Sequence, residues 1–106
     1  MIMQRVRDAA RAIAVTFALL AVSGCGGVLY AAQAGGAAAK LEQAKEVGAE
    51  ERAPYEYYVA REHMTKASEE ASQGDYGDAA DLAEIAEEYA DKAIRLAREA
   101  HRGAGR

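Results

Sequence analysis

Tryptophan is absent from this 106-residue chain, and cysteine (Cys25), proline (Pro54) and phenylalanine (Phe17) occur once each. A lone cysteine excludes an internal disulfide and any multi-cysteine metal cluster. The two histidines, His63 and His101, fit no HExxH-like spacing, so neither a metal nor another cofactor is expected. Cationic charge is also short: 13 Lys and Arg face 17 Asp and Glu, for a formal net charge of −4. An acidic chain repels phosphate backbones, which argues against nucleic-acid binding. The densest apolar run, residues 12–22, has 11 residues, whereas a membrane span needs roughly 20.

What the chain does have is alanine, glutamate and a set of tyrosines. Ala-rich, Glu-rich and Pro-poor composition favours helix over sheet, so the fold class is all-α.

Arg5, Arg7 and Arg11 precede the apolar run, and Ser23, Gly24, Cys25, Gly26 and Gly27 follow it. That is the order of a secretory signal: charged n-region, apolar h-region, small residues at the cleavage site. Val22-Ser23-Gly24-Cys25 resembles the bacterial lipobox, with Val22 in place of the preferred Leu. The resemblance implies cleavage between Gly24 and Cys25 and lipidation of Cys25, whose acyl chains would anchor the protein stably in lipid. By the same resemblance, Gly26 rather than Asp after the cysteine implies the periplasmic face of the outer membrane. Residues 1–24 are then a signal peptide and residues 25–36 a lipidated cysteine with a flexible Gly/Ala tether. Losing Arg5, Arg7, Arg11 and Asp8 with the signal takes the net charge from −4 to −6. Residues 12–39 carry no charge, so an uncleaved signal anchor is the competing reading.

Residues 37–102 read as the helical domain and residues 103–106 as a frayed tail. A first, shorter helix carries Ala37, Leu41, Ala44 and Val47 on one face and stops at Gly48. Pro54 suits the first position of the second helix, with Glu56 complementing its dipole. Tyr57, Ala60, Met64, Ala67 and Ala71 share one face of that helix, and Gly74 ends it. Asp75 is placed to cap the third helix, over residues 76–101. Its stripe is Ala79, Leu82, Ala86, Tyr89, Ala93, Leu96 and Ala100, a coiled-coil-like spacing. Glu62–Lys66, Glu88–Lys92 and Asp91–Arg95 are spaced as i,i+4 ion pairs. The short break at Gly74-Asp75 makes the last two helices an antiparallel hairpin. An Ala-lined seam buries little area, so a partner or a second copy is expected to supply more.

The carboxylates Glu69, Glu70, Asp75, Asp78, Asp81, Glu84, Glu87, Glu88 and Asp91 fit a solvated acidic face better than paired catalytic acids, which require a cleft that shifts their pKa values. Neither a catalytic residue nor a small-molecule substrate is indicated. Of Tyr55, Tyr57 and Tyr58, the first and third lie away from Tyr57 on a helix, so not all three are buried together. Tyr55 and Tyr58 are therefore the candidate partner-binding residues, since tyrosine offers contact area and a hydroxyl.

Gly74-Asp75-Tyr76-Gly77-Asp78-Ala79, with Ala86 downstream and Ala67 upstream, is similar to one tetratricopeptide repeat. It departs from that pattern at Glu70 and Asp91, and no second copy is present. The whole arrangement of lipobox, Ala53-Pro54-Tyr55-Glu56-Tyr57, Ala67-Ser68-Glu69-Glu70-Ala71 and Gly74-Asp75-Tyr76 resembles a family of small bacterial envelope lipoproteins with a helical domain of unknown function. That resemblance covers roughly residues 31–100 and implies an envelope setting, with no catalytic residues to carry over. The expected role is a non-enzymatic lipoprotein serving protein interaction, assembly or spacing, through an envelope partner or self-association. The alternatives are a peptidoglycan- or glycan-binding lipoprotein and a membrane adaptor held by its uncleaved signal.

Overall fold

Four helices follow one another: α1 (Ile2–Glu46), α2 (Ala49–Arg52), α3 (Pro54–Ser72) and α4 (Tyr76–Ala104). The computed structural model describes residues 1–105, except for the side chains of residues 19–25. Among the described residues there is no strand, and the fold is all-α.

Local chemistry sets the breaks. Gly48 takes φ +76° and Gly74 φ +83°, left-handed values that only glycine adopts without a Cβ penalty. After α3, the N–H of Asp75 donates to the Glu70 carbonyl and that of Gly74 to the Ala71 carbonyl. This double bond pattern is a Schellman motif, which satisfies the last carbonyls of the helix and turns the chain back. Pro54 opens α3 as expected. Asp75 holds the N-cap position of α4, but its side chain makes no capping hydrogen bond, which corrects the expected role.

Helices α3 and α4 form the antiparallel hairpin, and α4 also packs along α1, so it is the central helix. Gly26 of α1 lies by Tyr76 and Gly36 by Glu87, and Lys40 pairs with Asp91. Contacts advance in the same order along both chains, so α1 runs parallel to α4. The buried residues are Tyr57, Ile94 and otherwise alanines. Alanine seams bring helix axes close while each side chain removes little apolar surface from water.

Two expectations need correction. The Gly/Ala stretch at 25–36, anticipated as a flexible tether, is helical and continuous with α1, which starts far before Ala37. Its alanines favour helix, and α4 offers a surface for its glycines. A Cβ on Gly26 would sit 3.5 Å from Tyr76 Cβ, and one on Gly36 would sit 2.9 Å from a Glu87 carboxylate oxygen. The α4 stripe is also rotated: Ala83, Ala90 and Ala97 join Ala79, Ala86 and Ala93 in the interior, Leu82, Tyr89 and Leu96 are half-buried, and Ala100 is exposed. One stripe suits one neighbour; α4 has two, so its buried face is centred between them.

The surface ion pairs differ as well. Glu88–Lys92 forms at 3.0 Å. Lys66 pairs with Glu69 and Glu70 rather than Glu62, and Arg95 with Glu99 rather than Asp91, which turns to Lys40. One-turn pairs are nearly equivalent in energy, so the neighbouring side chains decide among them.

The first part of α1 reaches beyond the bundle, giving extents of 85 × 23 × 14 Å. Residues 1–18 are exposed, including Ile2, Val6, Ile13, Val15 and Phe17. Among the described residues no helix is long and apolar enough to cross a membrane.

Candidate interaction surfaces

The N-terminal half of α3 delivers three neighbouring tyrosines to different surroundings. Tyr57 enters the core, 5% exposed, against Ala44, Ala49, Ala53, Ala93, Ile94 and Ala97. Tyr55 and Tyr58 stay at the surface, 67% and 43% exposed. Helical rotation of 100° per residue is the reason: Tyr57 points inward and both neighbours are carried away from it.

Tyr58 belongs to the corner between α2 and α3. Its hydroxyl donates to Glu50 Oε1 at 3.0 Å, and its ring meets that of Tyr57 edge-on at 5.3 Å. The Arg61 guanidinium lies 5.7 Å from the Tyr58 ring centre and 5.9 Å from that of Tyr57. The hydrogen bond to the Glu50 carboxylate, then its negative charge, raises the Tyr58 hydroxyl above the ordinary tyrosine value.

Tyr55 lies on the α3–α4 face. Its ring contacts Tyr89 edge-on at 6.5 Å. Tyr89 stacks on His63 at 6.3 Å and carries the Lys92 ammonium 4.6 Å above its ring. His63 Nδ1 lies 2.8 Å from the Val59 carbonyl; a carbonyl only accepts, so this nitrogen carries the proton. Tyr55 and Tyr58 thus belong to two separate aromatic groups rather than one patch.

Between α1 and α3 runs a shallow groove of about 370 Å³, lined by Leu41, Glu42, Lys45, Tyr57, Arg61 and Met64 among others. A larger hollow, about 690 Å³, lies at the far end of the bundle, among Val47, Arg52, Arg98, His101, Arg102 and two glutamates. No motif in the sequence marks these arginines as a group. The i,i+4 spacing of Arg98 and Arg102 was the available signal, but Arg52 joins them only through the turn at Gly48.

The expected cleavage and lipidation site, Gly24 and Cys25, lies outside the described residues. Among the described residues no polar or charged side chain is buried, and no group of three or more His, Cys, Asp or Glu side chains converges as metal ligands would.

Fold and surfaces together define a small all-α protein, a helical hairpin with a long third helix laid along it. The chain belongs to the family described as Domain of unknown function (DUF4398), which matches residues 32–104. No curated protein and no solved structure matches the chain.

Proposed function

We propose that this chain is a non-enzymatic lipoprotein of the bacterial cell envelope, anchored through acylated Cys25, whose helical unit binds a protein partner or a second copy. One observation carries the anchoring: the apolar residues at the start of α1, from Ile2 to Phe17, pack against nothing else in the chain. A segment so exposed belongs in a membrane or is removed. The order Arg5-Arg7-Arg11, apolar run, Val22-Ser23-Gly24-Cys25 fits removal followed by lipidation. The outer membrane is the address that Gly26 favours.

The interaction role is supported by the thin alanine core and by Tyr55, Tyr58, Val28 and Leu29 at the surface. The unbroken course of α1 through residue 25 favours a second reading, an uncleaved signal anchor. Intact mass of the detergent-extracted protein, beside a Cys25→Ser variant, separates the two. A chain beginning at Cys25 with added acyl mass, absent from the variant, supports the lipoprotein; an unmodified chain retaining residues 1–24 overturns it.

A further inference from the structure

The hollow at the far end of the bundle has a composition unlike the rest of the surface. The last residues of α1, the turn at Gly48, α2 and the last turns of α4 meet there. Arg52, Arg98, Arg102 and His101 line it, and among the described residues none of the four takes part in an ion pair. Lys40, Lys66, Lys92 and Arg95, in contrast, are all matched to carboxylates. Outside the start of α1, where Arg5, Arg7 and Arg11 stand, the described arginines and lysines without an ion pair are Arg52, Arg98 and Arg102 at this hollow and Lys45 and Arg61 elsewhere. Arg98 and Arg102 also border a neighbouring hollow at the α1–α4 junction, with Gln43, Ile94 and the paired Lys40 and Asp91.

Four further features select the occupant. Guanidinium groups match the planar, two-oxygen geometry of a carboxylate. Val47 and the methylene stems of the arginines give the hollow an apolar floor, so the ligand brings apolar side chains beside its charges. Glu46 and Glu51 also line it. They accept hydrogen bonds from the N–H groups of a peptide backbone. A volume of about 690 Å³ accommodates a few residues of chain.

We propose that this hollow docks an acidic, partly apolar polypeptide segment of the protein partner, with Arg52, Arg98 and Arg102 pairing its carboxylates. The inference rests on the partner-binding part of the function proposed above and is independent of the lipid anchor.

Fluorescence anisotropy of the detergent-extracted full chain tests it, with a short labelled peptide of alternating Glu and Leu as probe. The Glu–Leu peptide should bind and the matching Gln–Leu peptide should not. Arg98→Gln with Arg102→Gln should weaken binding about tenfold or more. These residues are exposed, and helix content by circular dichroism should be retained. Lys66→Gln with Lys92→Gln, which removes the same charge elsewhere, should leave binding unchanged. Equal binding of the Gln–Leu peptide overturns the proposal. So does an equal loss in the lysine variant, or binding only to phosphatidylglycerol vesicles and not to the peptide. A failure here would leave the intact-mass result on Cys25 untouched, and an unlipidated chain would leave this binding untouched.

Discussion

The Lys40 ammonium lies 2.9 Å from the Asp91 carboxylate, joining α1 to α4 at half-exposed positions. Among the described residues it is the one ion pair that links two helices; the others lie within α3 or α4. Solvent screens such a pair, so Asp91→Asn should cost less than about 1 kcal/mol. Urea unfolding at low and high salt checks this. The difference between wild type and variant should shrink as salt rises; a cost that persists unchanged would mean that Asp91 acts through packing.

Tyr57 and Ile94 are the large residues of an otherwise alanine interior. Tyr57→Ala should therefore destabilise the chain by about 3 kcal/mol or more. Tyr57→Phe keeps the ring and should change stability by under about 1 kcal/mol. Thermal or urea unfolding monitored by circular dichroism measures both. A small effect of Tyr57→Ala would show that the core is organised around another residue.

Glycine has opposite consequences at two kinds of position. Gly35 lies in the interior of α1, and a Cβ there meets nothing within 4 Å. Gly35→Ala should stabilise by about 0.5–1 kcal/mol through helix propensity. Gly36→Ala should gain less, because the Glu87 carboxylate has to swing aside. Gly74 has φ +83°, and Gly74→Ala should cost about 1 kcal/mol. Unfolding midpoints of the three variants decide; if Gly35→Ala left stability unchanged, the helical course of the Gly/Ala stretch would not hold in solution.

These glycines also explain how far the sequence could be read. Gly48, Pro54, Gly74 and Asp75 mark boundaries by local backbone chemistry, and the helix ends fall beside them. Gly35 and Gly36 carry the same local signal as a linker, yet both are helical, with Gly36 set beside Glu87 of α4; that neighbour is tertiary and distant in sequence. The α4 stripe was misplaced for a related reason. Its spacing marks a buried face, but not how many neighbours share it, and Leu82 and Leu96 turned out to flank a seam centred on alanines. Tyr57 inside and Tyr55 and Tyr58 outside followed from helical rotation alone. The cluster of Arg52 with Arg98 and Arg102 did not, because only the turn after α1 brings α2 to the end of α4.

Alkaline pH should loosen the fold. Tyr58 is raised above the ordinary value of 10.0 by its hydrogen bond to Glu50. Lys66 is raised above 10.5 chiefly by Glu70 and Glu69, and Lys92 above 10.5 by Glu88. In each case the folded state holds the proton more tightly than the unfolded state. The stabilisation is complete below the unfolded values and is lost as pH rises through the folded ones. Melting temperature should thus fall above about pH 10, with a small effect because all three groups face solvent. Glu50→Gln should lower the Tyr58 midpoint, read from tyrosinate absorbance; an unchanged titration would remove the Tyr58–Glu50 bond.

The separate surroundings of Tyr55 and Tyr58 make their roles in partner binding distinguishable. Tyr55→Ser loses the edge contact with Tyr89, worth about 0.5–1.5 kcal/mol. Tyr58→Ser loses the bond to Glu50 and the contact with Arg61, both at the surface. Neither ring fills the core, so both variants should fold. If the aromatic surface carries self-association, sedimentation equilibrium should show each single variant weakened and the double variant monomeric. Weakening by Tyr55→Ser alone would assign the contact to the α3–α4 face, with Tyr89 and His63 beside it. Weakening by Tyr58→Ser alone would assign it to the α2–α3 corner. Undiminished association of the double variant would exclude the tyrosines and leave the exposed α1 residues Val28 and Leu29 to account for it.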